Sequence, residues 1–111
     1  MASRTSSPLL HPDEQDMDLF AVMAALSDRV RLGIVATLGA QSEVACGGFN
    51  LPVGKSTSSR HFRVLREAGL IRQRDEGTRR INSLRREELD RRFPGLLALV
   101  LREVSATGSP T

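Results

Sequence analysis

The sequence predicts a mostly α-helical fold with a two-stranded β ribbon, an α+β arrangement in one domain. Two observations carry this prediction. A helix with a hydroxyl-rich start, an apolar side and an arginine side ends at Gly69, and a tight turn over 75–78 then separates two short arginine-bearing strands. Upstream of them, apolar residues recur at helical spacing in two further segments. With 111 residues, the chain is long enough for a single modest core.

The ends of the chain are expected to lie outside this core. Residues 1–12 contain several serines and two prolines, a composition that predicts a disordered arm. Residues 105–111 are predicted to form a flexible tail. The folded domain is therefore expected to span residues 13–104.

Two helices are predicted in the N-terminal half. The first covers residues 13–26, with Asp13 as its cap and acidic residues in its first turn. The second covers residues 28–38, with Ser27 as its cap and Gly39 as its stop. Residues 40–54 are interpreted as a loop-rich lead-in to the next helix, with a helical turn over 40–45 as an alternative, because glycines and a proline interrupt any long helix.

The next helix has two chemically different sides. Ser56 or Thr57 is expected to be its N-cap, and Gly69 its left-handed stop. At 100° per residue, the apolar face consists of Phe62, Val64, Leu65 and Ala68, and the opposite side of Ser59, Arg60, Arg63 and Arg66. Such a helix suits a DNA major groove, where arginine can donate two hydrogen bonds to a guanine edge. A solvated surface helix is the ordinary alternative.

The ribbon that follows is predicted to be a wing. Arg72 and Arg74 precede its turn, and Arg79 and Arg80 follow it, which suits the narrow and electronegative minor groove. A last helical region begins near Arg85 and bends over residues 93–95. Its apolar residues nearly encircle it, so one face is expected to meet a second chain. Together these elements predict a winged helix-turn-helix fold.

The distribution of charge favours a nucleic-acid partner. Residues 1–27 contain one basic and four acidic side chains, whereas residues 55–92 contain twelve basic and six acidic ones. Aromatic residues are limited to four phenylalanines, which counts against binders that stack on single-stranded bases. No apolar run approaches the roughly 20 residues needed to cross a bilayer, and the polar N-terminus is not a signal peptide. A cytoplasmic protein is therefore expected.

Two stretches carry a resemblance to a known family. Residues 25–35, Ala-Leu-Ser-Asp-Arg-Val-Arg-Leu-Gly-Ile-Val, are similar to the opening signature of the ArsR/SmtB-type winged helix-turn-helix repressors, which usually has proline at the position of Arg29. Residues 56–71 closely resemble the recognition helix of that family. The resemblance covers about residues 17–103. It implies a homodimer joined by its N- and C-terminal helices, which places two recognition helices in successive major grooves of a near-palindromic operator. It also implies repression relieved by an inducer.

The expected DNA contacts come from the third helix and the wing. Major-groove contacts are assigned to Ser58, Ser59, Arg60 and Arg63, backbone contacts to Lys55, Ser56 and Arg66, and wing contacts to Arg74, Arg79 and Arg80. The alternative is a winged-helix protein-interaction module, in which the same arginines meet an acidic partner and specific DNA binding is absent.

No catalytic residue is assigned, and the chain is not expected to be an enzyme. The run Gly54-Lys55-Ser56-Thr57 resembles the end of a phosphate-binding P-loop. However, Phe49 stands where the P-loop requires its first glycine, and the chain is too short for the large parallel sheet of such an enzyme. A small enzyme or nucleotide binder that uses this turn is therefore the weaker alternative.

A metal effector is considered for one acidic segment. His11 precedes Asp13, Glu14 and Asp16, and one imidazole with several oxygens could bind Ni²⁺ or Zn²⁺ across a dimer. An acidic helix start with an isolated histidine is the alternative. No cofactor is expected to be required.

The remaining histidine and the single cysteine are given structural roles. His61 flanks the apolar face of the third helix and is expected to be packed or hydrogen-bonded. Cys46 is expected to be a small buried filler, with oxidation or an intermolecular disulfide as the alternative. Members of the family that bind metal often use cysteine pairs or His/acid sets on the last helix, and this chain departs from both patterns because Cys46 is alone and the last helix has no histidine.

Overall fold

A computed structural model of the chain describes residues 9–107, and side chains to residue 105. Five α-helices and a three-stranded sheet follow one another along this part of the chain. In chain order they are α1 (Leu19–Leu26), α2 (Arg29–Ala40), β1 (Val44–Ala45), α3 (Lys55–Ala68), β2 (Ile71–Glu76), β3 (Arg79–Leu84), α4 (Arg86–Arg92) and α5 (Leu96–Thr107). This is the predicted winged helix-turn-helix order with one additional strand.

The first predicted helix is divided in two, which corrects the expectation of one helix over 13–26. A short 3₁₀ turn covers Glu14–Asp16, and α1 begins only after Asp18. The Asp18 carboxylate accepts a hydrogen bond from the amide of Ala21 at 3.0 Å, so Asp18 caps α1 in place of Asp13. Between the two pieces, the backbone of Met17 is extended and its side chain is buried in the core.

The second helix is capped by Asp28 rather than by Ser27. Asp28 Oδ1 accepts hydrogen bonds from the amides of Val30 and Arg31, at 2.8 and 3.1 Å. The helix ends at Ala40, one residue past Gly39. Arg29 is its first residue, the position where proline is also favoured, so the departure from the family signature at this site costs the helix little.

The sheet adds a third strand, β1, to the predicted two-stranded wing. Its order is β1-β3-β2, and β1 pairs antiparallel with β3 through Val44 opposite Asn82 and Ala45 opposite Ile81. Residues 44 and 45 are therefore extended and not part of a helical turn over 40–45. A two-residue strand is too short to show any periodicity, and it exists here because β3 offers it hydrogen-bonding partners.

The third helix and the wing match their predictions closely. The α3 residues Phe62, Leu65 and Ala68 are buried, and the helix ends at Gly69 with a φ of 93°. Its N-cap is Gly54, however, and no side chain caps it, so the expected caps Ser56 and Thr57 instead lie exposed in the first turn. The hairpin of residues 71–84, called the wing below, pairs Ile71 with Leu84 through to Glu76 with Arg79.

The C-terminal region bends where it was predicted to bend. Helices α4 and α5 are separated by residues 93–95, where Gly95 has a φ of 87°. The helix α5 continues to Thr107, so residues 105–107 are helical rather than part of a flexible tail. Residues 108–111 and residues 1–8 of the predicted arm lie outside the described part of the chain.

One hydrophobic core joins these elements and buries the apolar face of α3. Its most deeply buried members come from the link before α1 and from α1, α2, α3, β2 and α4, and include Met17, Val22, Ile34, Leu38, Leu65, Ile71 and Leu89. The loop residues Phe49 and Leu51 also pack against this cluster. Because the apolar face of α3 packs in the core, its polar side faces outward. Within residues 9–107, no helix is long and apolar enough to cross a membrane.

Candidate nucleic-acid interface

The outer side of α3 presents unpaired cationic side chains. Lys55, Arg60 and Arg63 are exposed, and none of them has a hydrogen bond or ion pair within residues 9–107. Ser56 and Ser59 are also exposed, whereas Ser58 is half-buried. The structure thus leaves most of the predicted major-groove side chains free to contact another molecule.

Arg66 differs from the other predicted contacts on α3. Its Nη1 donates to Gln73 Oε1 at 2.7 Å, and its Nε donates to the carbonyl of Leu10 at 3.2 Å. Partial burial lowers the pKa of this guanidinium from its ordinary value. Arg66 therefore joins α3 to β2 and to the N-terminal segment, and only its Nη2 is without a hydrogen bond in the described structure, so a phosphate contact from Arg66 stays a prediction.

Two of the three predicted wing arginines are already ion-paired. Arg74 forms a bidentate pair with Glu43, with N–O distances of 2.8 and 3.0 Å, and this pair lowers the pKa of the Glu43 carboxyl. Arg80 forms a second bidentate pair with Asp75, at 2.8 and 3.2 Å, which lowers the pKa of that carboxyl. Arg79 has no such partner among the described residues.

The strand register places these arginines on different faces of the wing. Directly opposite residues of an antiparallel pair project to the same face. Arg80 lies opposite Asp75, on the face that also carries Gln73 and Asn82. Arg79 lies opposite Glu76, on the other face. Arg74, Arg79 and Arg80 were predicted as one set of DNA contacts, because the sequence does not show to which face of the wing each side chain projects. The strand register shows it.

A groove of about 600 Å³ separates α3 from the wing. Its apolar wall is formed by Phe49, Leu51, Val53 and Phe62. The ring centroids of Phe49 and Phe62 are 5.2 Å apart, and the angle between the ring planes is 60°. Its polar lining includes Lys55, Ser58, Ser59, Arg66, Asp75 and Arg80. The groove brings residues from the third helix and the wing to one place, which the sequence did not predict.

A buried polar cluster supports the base of the wing, and sequence reasoning missed it. Gln73 Nε2 donates to Asn82 Oδ1 at 2.8 Å, and Asn82 Nδ2 donates to the carbonyl of Val44 at 3.0 Å. Asn82 Nδ2 also lies 3.3 Å from Cys46 Sγ. Cys46 is thus half-buried and hydrogen-bonded rather than a plain apolar filler. One polar residue on each strand of the hairpin, Gln73 on β2 and Asn82 on β3, was the only signal in the sequence.

His61 has the structural role that was predicted for it. Its Nδ1 lies 3.0 Å from Nη1 of Arg31, whose Nε donates to the carbonyl of Ala25 at 2.6 Å. Because a guanidinium can only donate, Nδ1 of His61 is the acceptor and the ring carries its proton on Nε2. This contact joins α3 to α2 and to the end of α1.

The segment around His11 is bound to the fold rather than free, which corrects the prediction of a disordered arm for residues 10–12. His11 Nε2 accepts a hydrogen bond from the amide of Gln73 at 2.9 Å, and the carbonyl of Pro12 accepts one from Arg85 at 2.7 Å. Burial and the nearby arginines 66, 72 and 85 lower the pKa of His11.

The structure does not bring the metal candidates together within one chain. Glu14 is paired with Arg91 at 2.8 Å, and His11 is engaged with β2. Asp13 and Asp16 complete no site with them, since no group of three or more His, Cys, Asp or Glu side chains in the described chain is placed to hold a metal ion. A metal shared between two chains stays a prediction.

Comparison with known proteins agrees with this geometry. The uncharacterized HTH-type transcriptional regulator YceK of Bacillus subtilis (strain 168) is 39% identical over 79 residues, which span 68% of this chain and 79% of that protein. The structure is similar to that of an ArsR-like transcriptional regulator from Rhodococcus sp. RHA1, with a TM-score of 0.58, 27% identity and 79% of each chain covered.

A second solved structure has the same fold. The transcriptional repressor BigR from Xylella fastidiosa superposes with a TM-score of 0.59 and 23% identity, over 80% of this chain and 85% of that one. No protein-family model matches the chain. These relatives are regulators rather than enzymes, and the antiparallel sheet has no place for a P-loop core. The chain therefore belongs to the ArsR family of winged helix-turn-helix transcriptional regulators.

Proposed function

We propose that this regulator binds a specific DNA duplex through α3 and the wing, and that it acts as a repressor. The observation that carries the proposal is the division of α3 into a buried face and an outer side with exposed, unpaired Arg60 and Arg63. A helix held from behind can enter the major groove without unfolding, and its arginines can donate to guanine edges. Lys55 and Ser56 at the start of α3 are suited to the phosphate backbone.

A homodimer is the proposed active form. Four large apolar side chains remain exposed on the two terminal helices: Leu19, Phe20 and Met23 on α1 and Leu99 on α5. Phe20 is 79% exposed, and such a side chain is costly to leave in water. Covering it with a second copy would produce two recognition helices related by a two-fold axis, which favours a near-palindromic operator. A cytoplasmic location follows from this role.

The proposal is tested by fluorescence anisotropy with the duplex upstream of the gene and a scrambled duplex of the same composition. We expect tighter binding to the upstream duplex and a steep loss of affinity with salt, because phosphate contacts release counterions. Sedimentation at the same protein concentration should give a dimer. Equal and weak binding to both duplexes would instead favour the protein-interaction module.

A metal effector remains a separate proposal with its own measurement. Ni²⁺ or Zn²⁺ bound between two chains would require His11 to leave the amide of Gln73, so that Nε2 becomes available. Adding each metal to the protein–duplex complex should then change the anisotropy, and a His11→Ala variant should not respond. If neither metal changed the anisotropy of the wild-type complex, Ni²⁺ and Zn²⁺ would be excluded as inducers.

A further inference from the structure

The groove between α3 and the wing combines two kinds of lining. Phe49, Leu51 and Val53 are half-buried along its apolar wall, together with the buried ring of Phe62. Phosphate contacts make no use of such a wall, whereas sites for small organic molecules are mostly apolar with a few charged groups that orient the ligand. A volume of about 600 Å³ is in the ordinary range for such sites.

The charged groups of the groove are predominantly cationic. Lys55, Arg66 and Arg80 line it, and Asp75 is the only acidic side chain among the lining residues. Asp75 is already paired with Arg80, while Lys55 has no partner in the described structure and Arg66 retains Nη2. An anionic ligand would therefore find uncompensated donors beside an apolar surface.

We propose that this groove binds a small amphipathic carboxylate, with its aromatic or aliphatic body against the apolar wall and its carboxylate towards Arg80, Lys55 and Arg66. The ligand would lie between the two elements that contact DNA, so its binding should compete with the duplex. This competition rests on the proposed function, whereas binding of the carboxylate itself does not.

The first test is calorimetric titration of the DNA-free protein with 1-naphthoate, its neutral analogue 1-naphthamide, and acetate. We expect naphthoate to bind, naphthamide to bind roughly tenfold more weakly, and acetate not to bind, because both the charge and the apolar body are used. Equal affinities for naphthoate and naphthamide, or no binding of either, would overturn the proposal.

The wing provides matched variants on its two faces. Arg80 and Asp75 lie on the groove face, and Arg79 and Glu76 are the adjacent cross-strand pair on the other face. Arg80→Gln should weaken naphthoate binding about tenfold and Asp75→Asn should tighten it about threefold. Arg79→Gln changes the net charge as Arg80→Gln does, and Glu76→Gln changes it as Asp75→Asn does. Both variants should leave the affinity for naphthoate almost unchanged. Equal effects from the two faces would mean general charge attraction and would contradict a site in the groove.

Cys46 offers a readout of position, because it lines the groove and is the single cysteine of the chain. Saturating naphthoate should slow the alkylation of Cys46 by iodoacetamide in the wild-type protein and in Arg79→Gln, and unchanged rates would place the ligand elsewhere. Anisotropy with the upstream duplex separates the two hypotheses. If the protein bound naphthoate but not DNA, only the proposed function would be contradicted. If it bound DNA but not naphthoate, only the proposed ligand site would be contradicted.

Discussion

The outer side of α3 and the wing both carry arginines, but those on α3 are unpaired and most of those on the wing are ion-paired. Arg60 and Arg63 on α3 have no partner within residues 9–107. Arg74 and Arg80 on the wing are each held by two hydrogen bonds to a carboxylate. The count of basic residues in the sequence therefore overstates the positive charge that the wing offers to a duplex.

Because of this difference, we expect the two regions to contribute differently to DNA binding. An unpaired arginine gains the full attraction of a phosphate or a guanine edge, whereas a paired arginine must first give up its carboxylate. We therefore expect α3 to supply most of the affinity and sequence preference. We expect the wing arginines other than Arg79 to contribute mainly by stabilising the hairpin and its contacts with the rest of the fold.

The largest predicted effect concerns the ion cluster at the base of the wing. Glu88 accepts hydrogen bonds from Arg85 and Arg72, which lower its pKa from 4.5 to about 2. Because the pKa is lower in the folded chain, the stabilisation is complete above pH 4.5 and is lost as the pH falls towards 2. Glu88→Gln should reduce the free energy of unfolding at pH 7 by up to roughly 3 kcal/mol and flatten its acid dependence, measured by urea denaturation.

The control for that measurement is Glu87→Gln, since Glu87 is an exposed neighbour on the same helix. An equally large loss in the control would show that net charge, and not the cluster of Glu88 with two arginines, sets the acid stability.

The buried polar cluster should produce the next effect. Asn82→Ala removes the acceptor of Gln73 Nε2 and the donor to the Val44 carbonyl, so two polar groups lose their partners. We expect the variant to lose about 1–3 kcal/mol of stability, and amide exchange to rise first in β1 and the wing. Ser83→Ala, at the half-buried neighbouring position, is the matched control. Unchanged exchange in β1 would contradict a supporting role for this cluster.

On α3, Arg60→Ala should lose roughly 1–3 kcal/mol of affinity for the upstream duplex and much of the preference over the scrambled one. The reason is that Arg60 is exposed and unpaired on the outer side of the helix. Arg92→Ala is the control, because Arg92 stacks on Phe93 at 4.8 Å and lies on α4, to which no DNA contact is assigned. An unaltered preference in Arg60→Ala would contradict the proposed placement of α3 in the major groove.

Within the wing, Arg79→Ala should weaken all duplexes evenly and reduce the salt slope by about one unit, as expected for one lost phosphate contact. Arg74→Ala should have a smaller effect, because that guanidinium is already compensated by Glu43. The comparison is made by anisotropy over a series of salt concentrations. Equal slopes in the two variants would show that the Arg74–Glu43 pair opens in the complex.

How far the sequence predicted this molecule depends on whether a feature is local. The apolar face of α3, its stop at Gly69 and the bend before α5 are properties of neighbouring residues, and the structure confirms them. The cap of α2 was misplaced by one residue because Ser27 and Asp28 are both good capping residues.

The features that the sequence could not predict depend on partners far along the chain. Strand β1 exists through pairing with β3, and Arg66 is drawn to Gln73 and to Leu10, which is 56 residues away. The Glu43 partner of Arg74 lies 31 residues before it. A pattern of basic residues identifies which side chains could reach DNA, but only the fold shows which of them are already neutralised.

The smallest predicted effect comes from releasing such an arginine. Glu43→Gln removes the bidentate partner of Arg74 and leaves only the longer contact with Glu76 at 3.4 Å. Arg74 should then become more available to phosphates and steepen the salt slope by up to about one unit. Affinity for the upstream and scrambled duplexes should rise together, because no base contact is added. Glu103→Gln on α5 makes the same change of net charge away from the wing. If both variants tightened binding equally, the gain would come from overall charge, and the paired state of the wing would have no influence on DNA binding.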